Sequence, residues 1–139
     1  MGLHPFSLFE AQTDVLVEAR RDMWLWAEPI IVDRAVEAYN LGLDNKVASN
    51  IMARKHCRLW RAVIQDQPSD VPSASSELRL AGDKFGVDPK IVDEINSAVL
   101  EELVDIILCR YRSSRTAART FSMVLMSATS SLGALRAAA

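Results

Sequence analysis

The sequence predicts an all-α protein, and three observations lead to this expectation. Glycine and proline are scarce, at five residues each in a chain of 139, so few positions interrupt regular helices. Hydrophobic residues make up 50% of the chain, which is enough for a core without disulfides or metals. Apolar residues recur at intervals of three and four, the spacing of amphipathic helices.

The first part of the chain predicts a helix over 7–27 and a second helix from Pro29 to a cap at Gly42. Proline removes an amide donor and disfavours helical geometry at the preceding residue, which argues for a break there. A single kinked helix over the same residues is the alternative. Asp44 or Asn45 is the expected N-cap of the next helix, which runs to about residue 65.

A loop is predicted over residues 66–76, which contain two prolines and four serines. These residue types favour turns and offer little side chain to bury. Ser75 or Ser76 then caps a short helix that ends at Gly86, because glycine readily takes the left-handed conformation of a helix C-terminus.

The last two predicted helices are long and have broad apolar surfaces. Asp88 followed by Pro89 is a strong helix start, and the helix runs over 89–112. A turn at 113–114 leads to the final helix. So much apolar surface in a short chain predicts pairing with a second copy; the alternative is that both helices lie centrally in one bundle. The side chains expected in the interface are Ile95, Val99, Leu103, Ile106, Phe121, Val124, Leu125 and Leu132.

Charge composition and targeting patterns in the sequence limit the classes of function that we expect. The chain has 16 lysines and arginines against 18 aspartates and glutamates, a net charge of -2, which argues against a strongly basic nucleic-acid-binding protein. Charges interrupt every apolar stretch before the roughly 20 residues that span a bilayer. The N-terminus lacks a secretory signal pattern. We expect a cytoplasmic protein without nucleic-acid or membrane contacts, and Cys57 and Cys109 as reduced thiols.

His56 is the main candidate for chemistry, and the sequence alone leaves its role open. It is compatible with a haem or metal ligand, a phosphorylated histidine or a half-buried polar residue. Only Cys57 is adjacent, and metal sites need several converging ligands, so no metal site is expected. The sequence shows neither a nucleophile turn with a histidine and an acid nor a glycine-rich phosphate loop. We therefore expect no enzymatic activity.

Three stretches together resemble the sensor-globin domain of globin-coupled sensors and protoglobins. The family's helix, proline and second amphipathic helix are similar to DMWLWAEPIIVDRAVEAYNLGL at 22–43. The following family helix is similar to ARKHCRLWRAVIQ at 53–65. The short helix, an Ile-Gly-Leu-x-Pro motif and a long helix resemble residues 78–112, where FGVDP at 85–89 is the nearest equivalent of the motif.

The resemblance implies a globin-like helical bundle of the sensor-globin type, formed by residues 15–136. Residues 1–14 would be an N-terminal arm and the start of the first helix, and 137–139 the start of a linker to an output domain. Tyr39 corresponds to the family's distal tyrosine. The proximal haem histidine of the family corresponds to Gly82, which shares a helix face with Phe85 at the isoleucine position of the motif.

Gly82 cannot supply the axial donor that a haem iron requires. The resemblance therefore implies a haem-free sensory domain, in which Tyr39, His56, Gly82 and Phe85 would line a vestigial or alternative haem pocket. It would signal as a homodimer through its last two helices to a C-terminal output module, such as that of a chemoreceptor. The alternatives are a haem-binding gas sensor with an unusual ligand, and a helical phosphotransfer or adaptor module that uses His56.

Overall fold

The computed structural model describes the backbone of residues 5–138 and the side chains of residues 16–126. This part of the chain forms five helices and no strand, which confirms the all-α prediction. The helices are α1 (Pro5–Gly42), α2 (Lys46–Ile64), α3 (Val71–Phe85), α4 (Pro89–Arg110) and α5 (Arg115–Ala138).

Helix α1 continues through Pro29, so the prediction of two separate helices was wrong and the single-helix alternative is correct. The buried positions Ala27 and Ile31 flank the proline at helical spacing, so the apolar face keeps its phase. Pro29 itself is exposed. The carbonyl that loses its amide donor belongs to Leu25, which is also exposed, and water can satisfy it there.

The boundary between α2 and α3 differs from the prediction. Asn45 caps α2 as expected, accepting hydrogen bonds from the amides of the second and third residues beyond it, at 3.1 and 3.2 Å. Helix α3, however, begins at Val71 with Asp70 at the N-cap position and a proline in its first turn. The predicted loop over 66–76 is therefore too long, and the caps at Ser75 and Ser76 are wrong. Burial of Val71 and Ala74 in the core favours the earlier start.

The remaining helix ends follow the local sequence signals. Gly86 has a φ of 70° and ends α3, a conformation that glycine takes without strain. Asp88 accepts a hydrogen bond from the Lys90 amide at 2.9 Å, which caps α4 as predicted. The Ser114 hydroxyl accepts one from the Ala117 amide at 3.3 Å and caps α5.

Helix α2 lies at the centre of the packing. It packs most extensively against α1, then against α3, and it also contacts α5. Helix α4 packs less extensively, against α1, α3 and α5. The core is apolar apart from two residues, Ser49 and His56, which are the buried polar residues within 16–126. The fold thus buries His56 on the helix that α1, α3 and α5 pack against.

Most of the side chains predicted to form a dimer interface lie in the core of the single chain. Buried there are Ile95, Val99, Leu103, Phe121, Val124 and Leu125. Ile106 is half-buried, and Leu132 lies outside the described side chains. A second copy cannot reach the six buried residues without opening the fold, because they are the layer that packs α4 and α5 onto the rest of the chain. The exposed apolar side chains on these two helices are Ile91, Val104, Leu108, Met123 and Met126.

Candidate functional site

Four polar side chains from three helices meet at the core, three of them buried and Asn96 half-buried at its edge, and we call them the buried polar cluster. Tyr39 comes from the last turns of α1, His56 and Trp60 from α2, and Asn96 from α4. His56 and Trp60 have no exposed surface and Tyr39 is 2% exposed. A polar group in such a place destabilises the fold unless it is hydrogen-bonded.

Hydrogen bonds connect the four side chains in a continuous chain. The Tyr39 hydroxyl lies 2.5 Å from Nε2 of His56. Nδ1 of His56 lies 2.8 Å from Oδ1 of Asn96. The same oxygen accepts a hydrogen bond from Nε1 of Trp60 at 3.0 Å. The three bonds link α1 to α2 and α2 to α4, so the cluster ties three helices together.

The indole of Trp60 determines where the protons lie. An indole nitrogen can only donate, so the Asn96 atom facing it must be the carbonyl oxygen. That oxygen can accept from His56 only if Nδ1 carries a proton. In a neutral imidazole Nε2 is then an acceptor, and the Tyr39 hydroxyl must donate to it. The three donors of these bonds, the Tyr39 hydroxyl, Nδ1 of His56 and Nε1 of Trp60, each have an acceptor in this arrangement.

Burial keeps the cluster uncharged. Desolvation lowers the pKa of His56 to about 4, and the hydrogen bond to Asn96 opposes this shift only in part. Burial raises the pKa of Tyr39 far above its ordinary value. Both shifts follow from the cost of a charge in an apolar environment. At neutral pH the cluster therefore contains a neutral imidazole and a neutral phenol.

Helical spacing explains how the sequence builds the cluster. His56 and Trp60 are four residues apart and so lie on one face of α2. Asn96 follows Ile95 and precedes Val99, both buried, so it lies at the edge of the apolar face of α4. Tyr39 is four residues after the buried Ala35 on α1. All four positions belong to apolar stripes, and packing of those stripes brings the polar groups together.

Of the four residues predicted to line a pocket, the structure brings Tyr39 and His56 into contact and places Gly82 and Phe85 in other contacts. Gly82 is buried in α3, and a Cβ there would lie 3.7 Å from Cε of Met52 and 3.7 Å from the carbonyl oxygen of Val87. Phe85 is half-buried, with the Lys84 ammonium 5.6 Å from its ring centre. A side-chain carbon at Gly82 would therefore lie in ordinary contact with Met52 and Val87.

The arrangement does not fit haem ligation as it stands. Iron coordination requires a free nitrogen lone pair or another axial donor, and the one lone pair of the His56 ring accepts the Tyr39 hydroxyl. Gly82 has no side chain to offer. Phosphoryl transfer likewise needs an accessible ring, and His56 has no exposed surface. Either role would require the core to open.

Neither Asn96 nor the hydrogen-bonding role of Trp60 was predicted from the sequence. A signal for Asn96 was present. Val92 and Leu100, four residues before and after it, are both partly buried against the core, so an amide interrupts an apolar stripe. A polar residue in such a stripe predicts a buried partner, and Trp60 and His56 on α2 offer the matching donors.

The other polar contacts lie nearer the surface. Glu77 accepts from Arg58 at 2.6 Å and from Lys55 at 3.5 Å, and Arg34 pairs with Glu102 at 2.8 Å. All are partly exposed, and such pairs stabilise a fold only weakly.

The Cys57 thiol is held in its protonated form. Burial and the charge of Glu28 raise its pKa to about 11, which keeps the sulfur protonated at neutral pH.

A second aromatic group lies where α1 meets α4 and α5. Trp26 packs edge-on to Phe121, with ring centres 6.3 Å apart, and Tyr111 stacks on Phe121 at 4.4 Å. The Arg110 guanidinium lies 5.8 Å from the centre of the Trp26 ring. Nε1 of Trp26 is buried and has no acceptor among the described residues.

The part of the chain that is described offers few features of other kinds of site. No three histidine, cysteine, aspartate or glutamate side chains there come together as a metal site would require. None of the helices, as far as they are described, is both long and apolar enough to cross a membrane. An open groove of about 420 Å³ follows one exposed face of α4 from Lys90 to Glu101.

Comparison with known proteins identifies no relative. No protein-family model matches the chain. No curated protein and no solved structure matches it either.

Proposed function

We propose that the chain is a haem-free helical sensory or signal-transduction domain, resembling a sensor globin, that pairs with a second copy through α4 and α5. One observation carries the haem-free part of the proposal: His56 uses both ring nitrogens in hydrogen bonds inside the core. The sensory class rests on the resemblance of segments 22–43, 53–65 and 78–112, which requires an all-helical fold such as the one described.

Two features argue against a haem pocket between α2 and α3. Gly82 offers no ligand, and Met52 and Val87 occupy the space next to it at ordinary contact distance. Occupying that space with a porphyrin would displace buried side chains and lose their packing energy. A sensor built in this way has to respond through helix packing or a partner.

The outward faces of α4 and α5 supply the surface for pairing. Val104 and Leu108 are one turn apart on α4, at 39% and 61% exposure. Met123 and Met126 are three residues apart on α5, at 52% and 70% exposure. Residues three or four apart share a helix face. Apolar side chains grouped in this way on two neighbouring helices mark an interaction surface.

Charge complementarity favours a second copy as the occupant. Helix α4 exposes Glu94, Glu101 and Asp105 around its apolar residues. Helix α5 exposes Arg115 and Arg119, and the sequence contains no aspartate or glutamate after Asp105. A twofold axis would place the acidic face of α4 beside the basic start of α5 in both directions. Such self-complementary patches are what an isologous dimer requires.

Oligomeric state tests the pairing. Light scattering should show a dimer at micromolar concentration for the wild-type chain. Met123→Glu should be monomeric because a charge would enter the apolar centre of the interface. Leu80→Glu is the matched control, since Leu80 is 67% exposed but lies on α3. A wild-type monomer, or equal behaviour of the two variants, would contradict the proposal.

An absorption spectrum tests the haem-free part. Titration of the purified protein with haem should produce no Soret band of a ligated porphyrin. A stoichiometric Soret band that disappears in His56→Ala would overturn the proposal and establish the haem-binding alternative. A band that persists in His56→Ala would also overturn it and would indicate another ligand.

A further inference from the structure

We propose that α4 of one chain runs parallel to α5 of the second copy, with Glu101 opposite Arg119 and Leu108 opposite Met126. This inference deepens the proposed function and rests on the pairing through α4 and α5. It adds the direction of the two helices and their register, which follow from the order of exposed charges and apolar side chains along each helix.

The exposed side chains along α4 change from acidic to apolar. An open groove of about 420 Å³ follows the first turns of this helix, and its charged lining residues are Asp93, Glu94 and Glu101 with one cation, Lys90. The groove therefore carries an excess of negative charge. Exposed positions three or four residues apart share one face of the helix, which we call the α4 stripe: Glu94, Ser97, Glu101, Val104 and Leu108.

The exposed side chains along α5 change from basic to apolar. Positions spaced by four, four and three residues form the α5 stripe: Arg115, Arg119, Met123 and Met126. Within the described part of the chain, Arg115 and Arg119 have no ion pair. The same is true of Glu94 and Glu101. The two stripes thus offer opposite charges at their beginnings and apolar side chains at their ends.

The two stripes share the same spacing between charge and apolar contact. Leu108 follows Glu101 by seven residues, and Met126 follows Arg119 by seven residues. Either interval corresponds to about 10 Å along a helix. When the helices run parallel, the carboxylate and the guanidinium can therefore meet in the register that also brings the two apolar side chains together. Arginine and carboxylate pair well because the planar donor groups match the two oxygens.

An antiparallel arrangement brings like charges together. If Leu108 faced Met126 with the helices antiparallel, Arg119 would lie beyond the end of the partner's α4. It would then approach the partner's turn at 113–114, next to the partner's Arg112, while Glu101 would lie at the other end of the contact. Like charges side by side weaken association and select against that arrangement. The charge order therefore favours the parallel direction.

Reversal of one charge at a time tests the contact. Glu101→Arg should weaken the homodimer by about tenfold or more, because a twofold interface contains the contact twice and both pairs become repulsive. Arg119→Glu should have the same effect for the same reason. Both side chains are exposed in the single chain, so the fold itself should be unaffected. Analytical ultracentrifugation gives the dissociation constants.

A mixture of the two variants gives the specific readout. The Glu101→Arg chain has two cations at the contact and the Arg119→Glu chain has two anions. A mixed dimer contains two pairs of opposite charge, whereas each homodimer contains two pairs of like charge. The mixture should therefore dimerise about tenfold or more tightly than either variant alone. Glu37→Arg and Arg54→Glu are the matched controls at exposed positions of α1 and α2, and they should dimerise as the wild type does.

Cysteine cross-linking measures the direction of the helices. The chains would carry Cys109→Ser, because Cys109 is exposed on α4. A Glu101→Cys chain mixed with an Arg119→Cys chain should form a disulfide-linked pair under mild oxidation. Leu108→Cys with Met126→Cys is the comparison, since these ends meet in either direction. Cross-linking of the comparison pair without the first pair would mean antiparallel helices and would overturn the proposal.

The outcomes separate this register from the pairing itself. A wild-type dimer that Met123→Glu dissociates but that neither charge reversal weakens would overturn the register and leave the pairing in place. Loss of dimer in both reversed variants without recovery in their mixture would also overturn the register. A wild-type monomer would overturn the pairing and, with it, this inference.

Discussion

Trp60, which is buried, and Trp26, which is half-buried, both face the last two helices. They differ in whether the indole proton has an acceptor. Trp60 donates its indole proton to Asn96 at 3.0 Å, inside a chain of bonds where each donor has an acceptor. Trp26 packs against Phe121 and Arg110, but its buried indole nitrogen has no acceptor among the described residues. One indole fixes a specific arrangement of helices, and the other contributes mainly apolar and cation–π contact.

This difference separates two ways of joining α4 and α5 to the rest of the fold. Around Trp60, removal of one partner leaves other polar groups of the cluster without a hydrogen bond, so the contacts depend on one another. Around Trp26, the aromatic rings pack without such dependence, and a change in one ring leaves no further polar group without a hydrogen bond. We therefore expect substitutions at the buried polar cluster to be costly and those at Trp26 to be tolerated.

The largest effect is expected for Asn96→Leu. It removes the acceptor of two donors, Nδ1 of His56 and Nε1 of Trp60, and each donor left without an acceptor costs about 1–3 kcal/mol, so the free energy of unfolding should fall by about 2–6 kcal/mol. Chemical denaturation measures this. Asn50→Leu is the control, because Asn50 is an exposed residue of α2. Equal losses at the two sites would show that Asn96 does not hold the cluster together.

The pH dependence of stability should come next. The pKa of His56 is about 4 in the fold, below its ordinary value near 6.5, so the unfolded chain binds the proton first as the pH falls. The free energy of unfolding should therefore decrease between about pH 6.5 and pH 4, at up to about 1.4 kcal/mol per pH unit and about 3 kcal/mol in total. Urea titrations at several pH values measure this.

Only the difference between wild type and His56→Gln is attributed to the ring, since carboxylates also titrate near pH 4. If the two proteins lose stability in parallel over this range, His56 is not buried in a neutral state as the structure indicates.

Tyr39→Phe should have a smaller effect of about 1–3 kcal/mol, because it leaves Nε2 of His56 without its donor. The same change should raise the pKa of His56, since the hydroxyl favours the neutral ring. Denaturation and an NMR titration of the ring report the two effects. Tyr111→Phe is the matched control at an aromatic contact outside the cluster. An unchanged His56 pKa in Tyr39→Phe would contradict the assigned donor direction.

The smallest effect is expected for Trp26→Phe. It removes a buried donor that has no described acceptor, which offsets part of the lost apolar contact, so the change should stay below about 1 kcal/mol. Trp60→Phe provides the comparison and should cost more, because it withdraws one of the two donors to Asn96. Thermal unfolding of both variants measures the difference. A larger loss for Trp26→Phe would reverse the distinction between the two tryptophans.

Local signals in the sequence were sufficient where the chain itself satisfies its backbone groups. Asn45, Gly86 and Asp88 mark helix ends because a side-chain oxygen or a left-handed glycine acts within a few residues. Two predictions were wrong, the break at Pro29 and a start of α3 at Ser75 or Ser76. In both cases long-range packing overrode the local preference of the residues for a helix end. Helix α1 tolerates Pro29 because water can bond the carbonyl of exposed Leu25, and burial of Val71 in the core favours an earlier start of α3.

The sequence by itself determined the helical class, most helix ends and two members of the candidate site, Tyr39 and His56. Only the tertiary structure decided that Asn96 and Trp60 complete the cluster, and that the apolar residues of α4 and α5 first fill the core of one chain. The physical reason is that periodicity shows which face of a helix is apolar but not which helix will cover it. Partners from distant segments are chosen by packing and by the need of each buried donor for an acceptor.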